Sequence, residues 1–270
     1  LEIAADSIAS VLEKGNLVIL ESTSPVGTTE RLAKRMAKQR PDLSFPLDSQ
    51  EEVDVHLACC PERVLPGSIL RELVSNDRII GGLTKKCAQQ AESFYRIFVR
   101  GNCLLADAQT TELCKLTENA FRDVNIAFAN ELSMICDGLD INPWELIRLA
   151  NRHPRVNVLN PGPGVGGHCI AVDPWFIVDA SHSQANLIRM AREVNDAKPG
   201  HVVLQVKAMI ADTNQPVIAL LGLTYKADVD DLRQSPALEV VKTLAMEKLG
   251  RLLVVEPYIT SLSEELAQLE

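Results

Sequence analysis

An α/β chain with a helical middle is what the sequence predicts, and three patterns predict it. Short apolar runs ending in polar or Gly/Pro loops alternate with helical spacings through the first hundred or so residues. A breaker-poor stretch of nearly 30 residues follows, from Thr110 to about Gly138. Strand, helix and strand then return in that order from Pro216.

Element by element, Ile3, Ala4, Ile8, Val11 and Leu12 have helical spacing. Leu17–Leu20 is an apolar run of the kind that forms a buried strand, and it enters the loop Glu21–Gly27. Thr28 to Gln39 reads as a helix with Leu32, Ala33 and Met36 on one side. Val53–Cys60 and Arg78–Gly82 are two further strands, and a helix runs from Lys85 to about Phe98. Alternation over short connections predicts a parallel sheet, with ligands at the loops beyond the strands' carboxyl ends. The long helix carries Leu113, Leu116, Ala120, Val124, Ala127, Leu132 and Ile135, and its length suits a position between domains or in a dimer interface. Helices over Trp144–Asn151 and Asn186–Val206 flank a Gly/Pro-rich loop. Val217–Gly222, a helix over Ala237–Leu249 and Leu252–Pro257 open a second α/β domain. The chain begins at Leu1 rather than Met and stops at Glu270, each inside a helical pattern, so it reads as a piece of a longer protein.

Composition bounds the function. The 27 Lys+Arg against 36 Asp+Glu give a formal charge of −9, which argues against nucleic acid or an anionic membrane as the main partner. No apolar run is long enough to span a bilayer and no signal peptide opens the chain. Seven cysteines, odd in number and irregularly spaced, do not form a disulfide framework and fit a reducing cytosol. Cys59-Cys60 and His168-Cys169 are adjacent pairs without zinc-site spacing, so no metal is expected. A P-loop and a G-x-S-x-G elbow are absent from this sequence, and no dinucleotide fingerprint G-x-G-x-x-G follows a first strand.

The chemistry-bearing residues fall into clusters. In the loop Asn160–Pro174, Gly162, Gly164, Gly166 and Gly167 precede Cys169, and Asp173 follows four residues later. A cysteine beside a backbone that can approach a ligand suits covalent catalysis; a buried cysteine acting as a small hydrophobe is the competing reading. Lys115, Asn119 and Arg122 share one helical stripe, either as groups aimed at a reacting oxygen and an anion or, with Glu112 and Glu118, as a solvated ion-pair face. Glu62, after the second strand, is placed to be a general base or is merely solvated. Thr23 ends the first strand, where its hydroxyl can reach a cofactor. His153 and Arg155 form a potential anion-binding pair. Tyr225, Lys226 and Arg233 follow a strand end, where the cations can hold phosphates or pair with Asp228, Asp230 and Asp231.

Taken together, Glu21–Gly27, Cys60–Gly67, Glu112–Glu131, His153–Asn157, Gly162–Phe176 and Gly222–Asp228 resemble the UDP-glucose/GDP-mannose dehydrogenase family, in family order and over nearly the whole chain. The resemblance implies the later part of an NAD-binding Rossmann domain (1–106), a helical central and dimerisation domain (107–205) and the start of a UDP-sugar-binding Rossmann-like domain (206–270). It implies NAD as cofactor and oxidation of a sugar C6 alcohol to a carboxylate. Cys169 then matches the nucleophile, Lys115 and Asn119 the oxyanion and water-holding groups, Asp173 a carboxylate that tunes the centre, and Glu62 the hydrolytic base. Thr23 and Arg233 match NAD contacts. Arg63, Val64, Arg122, His153, Arg155, Gly166, Tyr225 and Lys226 match sugar-nucleotide contacts, with His153 and Arg155 serving a neighbouring subunit of a homodimer. H-P-R-V-N with G-P-G-V-G-G-H-C is the form associated with N-acetylamino sugars, so UDP-N-acetyl-D-mannosamine comes first as substrate. UDP-N-acetylglucosamine, UDP-glucose, and an inactive fragment that only dimerises stay open.

Overall fold

A computed structural model of the chain describes residues 1–48, 51–64 and 68–259. These divide into two compact units, Leu1–Glu118 and Asn119–Glu270.

In the first unit the order is α1 (Glu2–Ala9), β1 (Leu17–Leu20), α2 (Thr28–Gln39), β2 (His56–Cys59), α3 (Ile69–Ser75), β3 (Arg78–Gly82), α4 (Lys85–Tyr95) and β4 (Cys103–Asp107), before α5 (Ala108–Leu139) begins. The sheet runs β1-β2-β3-β4. Successive side chains of β2 serve opposite faces, as a strand's period of two requires. Leu57 joins Ala5, Leu32, Met36 and Phe45 in one core, while Ala58 joins Ile80, Ala91, Tyr95 and Val99 in the other.

The expectation of a parallel sheet is corrected at one junction. β1–β2 and β3–β4 are parallel, with Leu17 opposite His56 and Arg78 opposite Cys103, but β2 and β3 are antiparallel through Ala58–Gly82 and Cys59–Gly81. A parallel return needs a crossover helix buried on a sheet face. The only described helix between β2 and β3 is α3, which buries none of its residues and leaves Ile69, Leu70 and Val74 exposed.

The second strand is also shorter than its apolar run, and the helix after β3 stops at Tyr95 rather than Phe98. The elements α3, β4 and α7 are additions to the sequence reading. The helical pattern leading to Glu270 and the loop end Leu65–Gly67 lie outside the described residues.

The second unit holds the rest of α5, then α6 (Pro143–Ala150), α7 (Asp173–Ala180), α8 (Asn186–Ile210), β5 (Val217–Leu221), α9 (Pro236–Glu247) and β6 (Arg251–Val255). β5 and β6 pair in parallel, Val217 opposite Arg251, with α9 as crossover. Val203 of α8 packs with Val240 and Leu244 of α9 against Leu220 and Leu252 of the strands. Ser235 caps α9, its hydroxyl accepting from Leu238 N, and Pro236 takes the first helical turn, where no amide is needed. Pro199 lies inside α8, which continues through it. Its missing N–H leaves the Asn195 carbonyl without the usual donor, and Gly164 approaches that carbonyl so closely that a Cβ would stand 3.1 Å from it.

Candidate active site

Of the seven cysteines, Cys169 alone is exposed. Burial pushes the Cys59 thiol up to about 12 and the Cys60 thiol up to about 11, which keeps both protonated and inert. The buried-hydrophobe reading of Cys169 is therefore overturned. Its carbonyl accepts the amides of Val172 (3.1 Å) and Asp173 (2.8 Å), so a turn leads from the cysteine directly into α7.

Asp173 occupies the first turn of α7, where a carboxylate complements the helix dipole. It is buried, and its Oδ2 accepts from Asn119 Nδ2 of α5 at 2.6 Å; Asn119 is buried as well. The structure thus joins Asn119, Asp173 and the cysteine turn.

The stripe Lys115–Asn119–Arg122 does not behave as a solvated ion-pair face. Asn119 is buried, Lys115 half-buried and Arg122 exposed. Glu112 turns away to the start of α2: its Oε1 accepts from Thr29 N and Thr29 Oγ1, both at 2.7 Å, and its Oε2 from Gly27 N at 2.5 Å. A side chain on α5 therefore satisfies two backbone donors at the start of α2. Glu118 pairs with Arg63 at 2.8 Å.

The glycine loop is held by backbone fit. Gly167 has φ +84, in the region that favours glycine, and its amide donates to the Arg233 carbonyl at 3.1 Å. A Cβ on Gly166 would run into the Gln234 carbonyl and stand 2.7 Å from Tyr225 Cβ and 2.8 Å from Pro236 Cδ. Gly166→Ala is therefore expected to lower stability by about 1–3 kcal/mol, the usual cost of overpacking. Thermal or urea unfolding of wild type and variant checks this.

The same loop is tied to the helices by a buried polar chain that the sequence reading missed. Gly162 N donates to Asn130 Oδ1 (2.8 Å), Asn130 Nδ2 to Asn195 Oδ1 (2.8 Å), and Asn195 Nδ2 to Asp123 Oδ1 (2.8 Å). Arg192 Nη1 donates to the same Asp123 oxygen at 2.6 Å, and its Nη2 bonds Asp196. The available signal was polar residues spaced seven apart, Asp123 and Asn130, on the helical face that also carries Leu116.

The other predicted residues are placed as follows. Glu62 is half-buried, and its carboxylate accepts the amides of Arg63 and Val64 and the Arg78 guanidinium. Burial works to raise its pKa, but those amides and the Arg78 charge outweigh it and hold the carboxyl below its ordinary value. Thr23 is half-buried just past the carboxyl end of β1. His153 and Arg155 are exposed, and His153 Nδ1 accepts the Arg155 amide at 3.3 Å. Of the local pairings weighed for Arg233, the one with Asp231 forms, at 2.6 Å, and it draws that carboxyl down to about 2. Asp228 instead accepts the Tyr258 hydroxyl. Lys226 stands over the Tyr225 ring, 5.7 Å from its centroid. Among the described residues no group of three or more His, Cys, Asp and Glu can hold a metal ion. No helix among them is long and apolar enough to cross a membrane.

Comparison with known proteins gives this geometry its context. Residues 1–99, 109–197 and 219–270 match, in that order, the NAD binding, central and UDP binding domains of the UDP-glucose/GDP-mannose dehydrogenase family. An NDP-N-acetyl-D-galactosaminuronic acid dehydrogenase of Ralstonia nicotianae is 63% identical over 270 residues, which are 100% of this chain and 64% of that protein. A UDP-N-acetyl-D-mannosamine dehydrogenase of Campylobacter jejuni is 63% identical over 262 residues, 97% of this chain and 64% of its own length. The chain thus spans about 64% of the length of these relatives. The structure of a UDP-D-ManNAc dehydrogenase from Pyrococcus horikoshii superposes with a TM-score of 0.86 at 42% identity, covering 98% of this chain and 63% of that one. With all three domains of one family matched along its length, the chain belongs to the UDP-glucose/GDP-mannose dehydrogenase family.

Proposed function

We propose that the protein of which this chain is part oxidises the C6 alcohol of UDP-N-acetyl-D-mannosamine to the carboxylate of UDP-N-acetyl-D-mannosaminuronate. The observation that carries this reading is the exposed Cys169, set on a glycine loop and joined through its turn to the buried Asp173–Asn119 pair. NAD⁺, when bound, supplies the hydride acceptor for each of the two oxidations. Thr23 fits such a cofactor, since a dinucleotide sits at the carboxyl ends of the strands in an α/β sheet, and Arg233 is its second proposed contact.

In this reading the Cys169 sulfur adds to the C6 aldehyde left by the first oxidation, forming a C–S bond and a thiohemiacetal. The second oxidation leaves a thioester on the same sulfur. Water then adds at the thioester carbon, Glu62 takes its proton, and the C–S bond breaks to release carboxylate and thiol. Asn119, held in one orientation by Asp173, donates to the oxygen that becomes negative at each addition, and Lys115, one turn earlier on α5, supplies positive charge. Arg63, Val64, Arg122, Gly166, Tyr225 and Lys226 contact the sugar nucleotide.

Two subunits are part of the proposal. Phe121, Phe128, Ile135 and Leu139 form an exposed apolar stripe on α5, at a spacing that suits helix pairing, and His153 and Arg155 serve the partner's site.

The test is stoichiometry. The full-length protein is expected to form two NADH for each sugar nucleotide consumed and to release no aldehyde. One NADH with free aldehyde overturns the covalent scheme. A galacto-configured sugar is the second reading, favoured by the Ralstonia relative at the same 63% identity. Comparing kcat/KM for UDP-N-acetyl-mannosamine, -galactosamine and -glucosamine and for UDP-glucose separates them.

A further inference from the structure

The base assigned to thioester hydrolysis is held by a residue that no sequence motif singled out. Arg78, on β3, is 1% exposed. Its Nη1 stands 3.2 Å from Glu62 Oε2, and its Nη2 donates to the Leu73 carbonyl at 3.3 Å. The guanidinium carbon lies 5.6 Å from the centre of the Tyr95 ring. Tyr95 is itself fixed, its hydroxyl donating to Glu21 Oε1 at 2.5 Å. The Glu62 amide donates to the Glu21 carbonyl at 3.1 Å, so loop, ring and guanidinium share one anchor at the end of β1.

The lone pairs of Glu62 show what this does. A carboxylate has about four acceptor sites, two on each oxygen. Oε1 accepts from Arg63 N at 2.6 Å and Val64 N at 2.9 Å, which fills it. Oε2 accepts from Arg78 alone among the described residues, which leaves one site on that oxygen. Resting on the reading of Glu62 as the base, we propose that Arg78 is a positioning residue that keeps Glu62 ionised and leaves a single, directed lone pair on Oε2 to take the proton of the hydrolytic water.

Chemistry favours arginine for this task. Guanidinium cannot lose its proton in a protein, and once buried it demands an anion beside it. The other groups around Glu62 are Cys60 and Arg63 on its own loop, Glu21 after β1, Tyr95 on α4, and Glu118 on α5, which is bound to Arg63. Cys60 and Tyr95 are held protonated by burial, and Arg63 is shared with Glu118, so Arg78 is the cation committed to Glu62.

The test uses full-length protein and the pH dependence of kcat. Arg78→Met is expected to move the acid limb of the profile up by about one pH unit or more, since removing a neighbouring cation releases a carboxylate pKa upward. It is also expected to lower kcat about tenfold with the sugar-nucleotide KM unchanged, because the loss falls on a proton-transfer step. Should Arg78→Met fail to fold, Arg78→Lys decides: an acid limb moved up from wild type by less than about one pH unit, with reduced kcat, supports positioning, while a wild-type kcat and pH profile overturns it. An unmoved acid limb in folded Arg78→Met also overturns it. Glu62→Gln separates the two ideas, because wild-type kcat there removes the base itself. Loss of the acid limb in Glu62→Gln with an unshifted limb in Arg78→Met removes only the role of Arg78.

Discussion

Cys169→Ser in the full-length protein is expected to cut carboxylate formation by at least about 10³-fold, the scale on which removing a catalytic nucleophile acts. A hydroxyl at that position is far less acidic than a thiol and has no adjacent base assigned to it, so the aldehyde carbon goes uncaptured and the second oxidation loses its substrate. Product chromatography with NADH counting reads the result, and full carboxylate output from the variant sinks the covalent role. Mass spectrometry after brief iodoacetamide treatment provides a second readout on the chain itself. Cys169 labels first, whereas Cys59 and Cys60 resist because burial holds their thiols near 12 and 11.

Arg192→Met is expected to cost about 3–5 kcal/mol of stability, because it strands a buried carboxylate without its cation. Asp123 is fully buried and Arg192 nearly so, and Asp123 Oδ2 and Arg192 Nε already lack partners among the described residues. Asp123→Asn is expected to cost less, since the amide keeps the oxygen that Arg192 and Asn195 use and Arg192 retains Asp196 as its anion.

The pH dependence follows from the same pair. Burial raises the Asp123 carboxyl above its ordinary value, although Arg192 and Asn195 pull it down. A raised folded-state value means that the folded chain holds this proton more tightly than the unfolded one. The stabilising contribution is present below the unfolded pKa and is lost as pH rises through the folded one. The deficit of Arg192→Met therefore shrinks toward acid pH. Urea unfolding of wild type and both variants across pH measures it, and equal losses in the two variants would contradict this account.

Local signals explain what was legible. The helix Thr28–Gln39, the strands at Leu17, Arg78 and Val217, and the long α5 declare themselves through periodicity and punctuation. The direction of β3 does not, because pairing sense depends on whether the connecting segment packs on the sheet, and α3 does not. Cys103–Ala106 is an apolar run of four, as long as Leu17–Leu20, yet it went unread, and the fold makes it the edge strand β4. Asp173 was visible as a carboxylate near the cysteine, but its bond to Asn119 joins positions 54 apart in sequence. Arg78 looked like the polar start of a strand, and only the fold places it beneath Glu62.

The Cys169 loop and the segment leading into α9 leave no room for a side chain between them, since a Cβ on Gly166 would stand 2.7 Å from Tyr225 Cβ and one on Gly167 2.9 Å from Tyr225 Cε2. Two surfaces packed this closely constrain each other. On the roles proposed for Tyr225 and Cys169, a ligand that grips the Tyr225 side would also aim the sulfur, so recognition of the nucleotide and timing of the chemistry would share a lever.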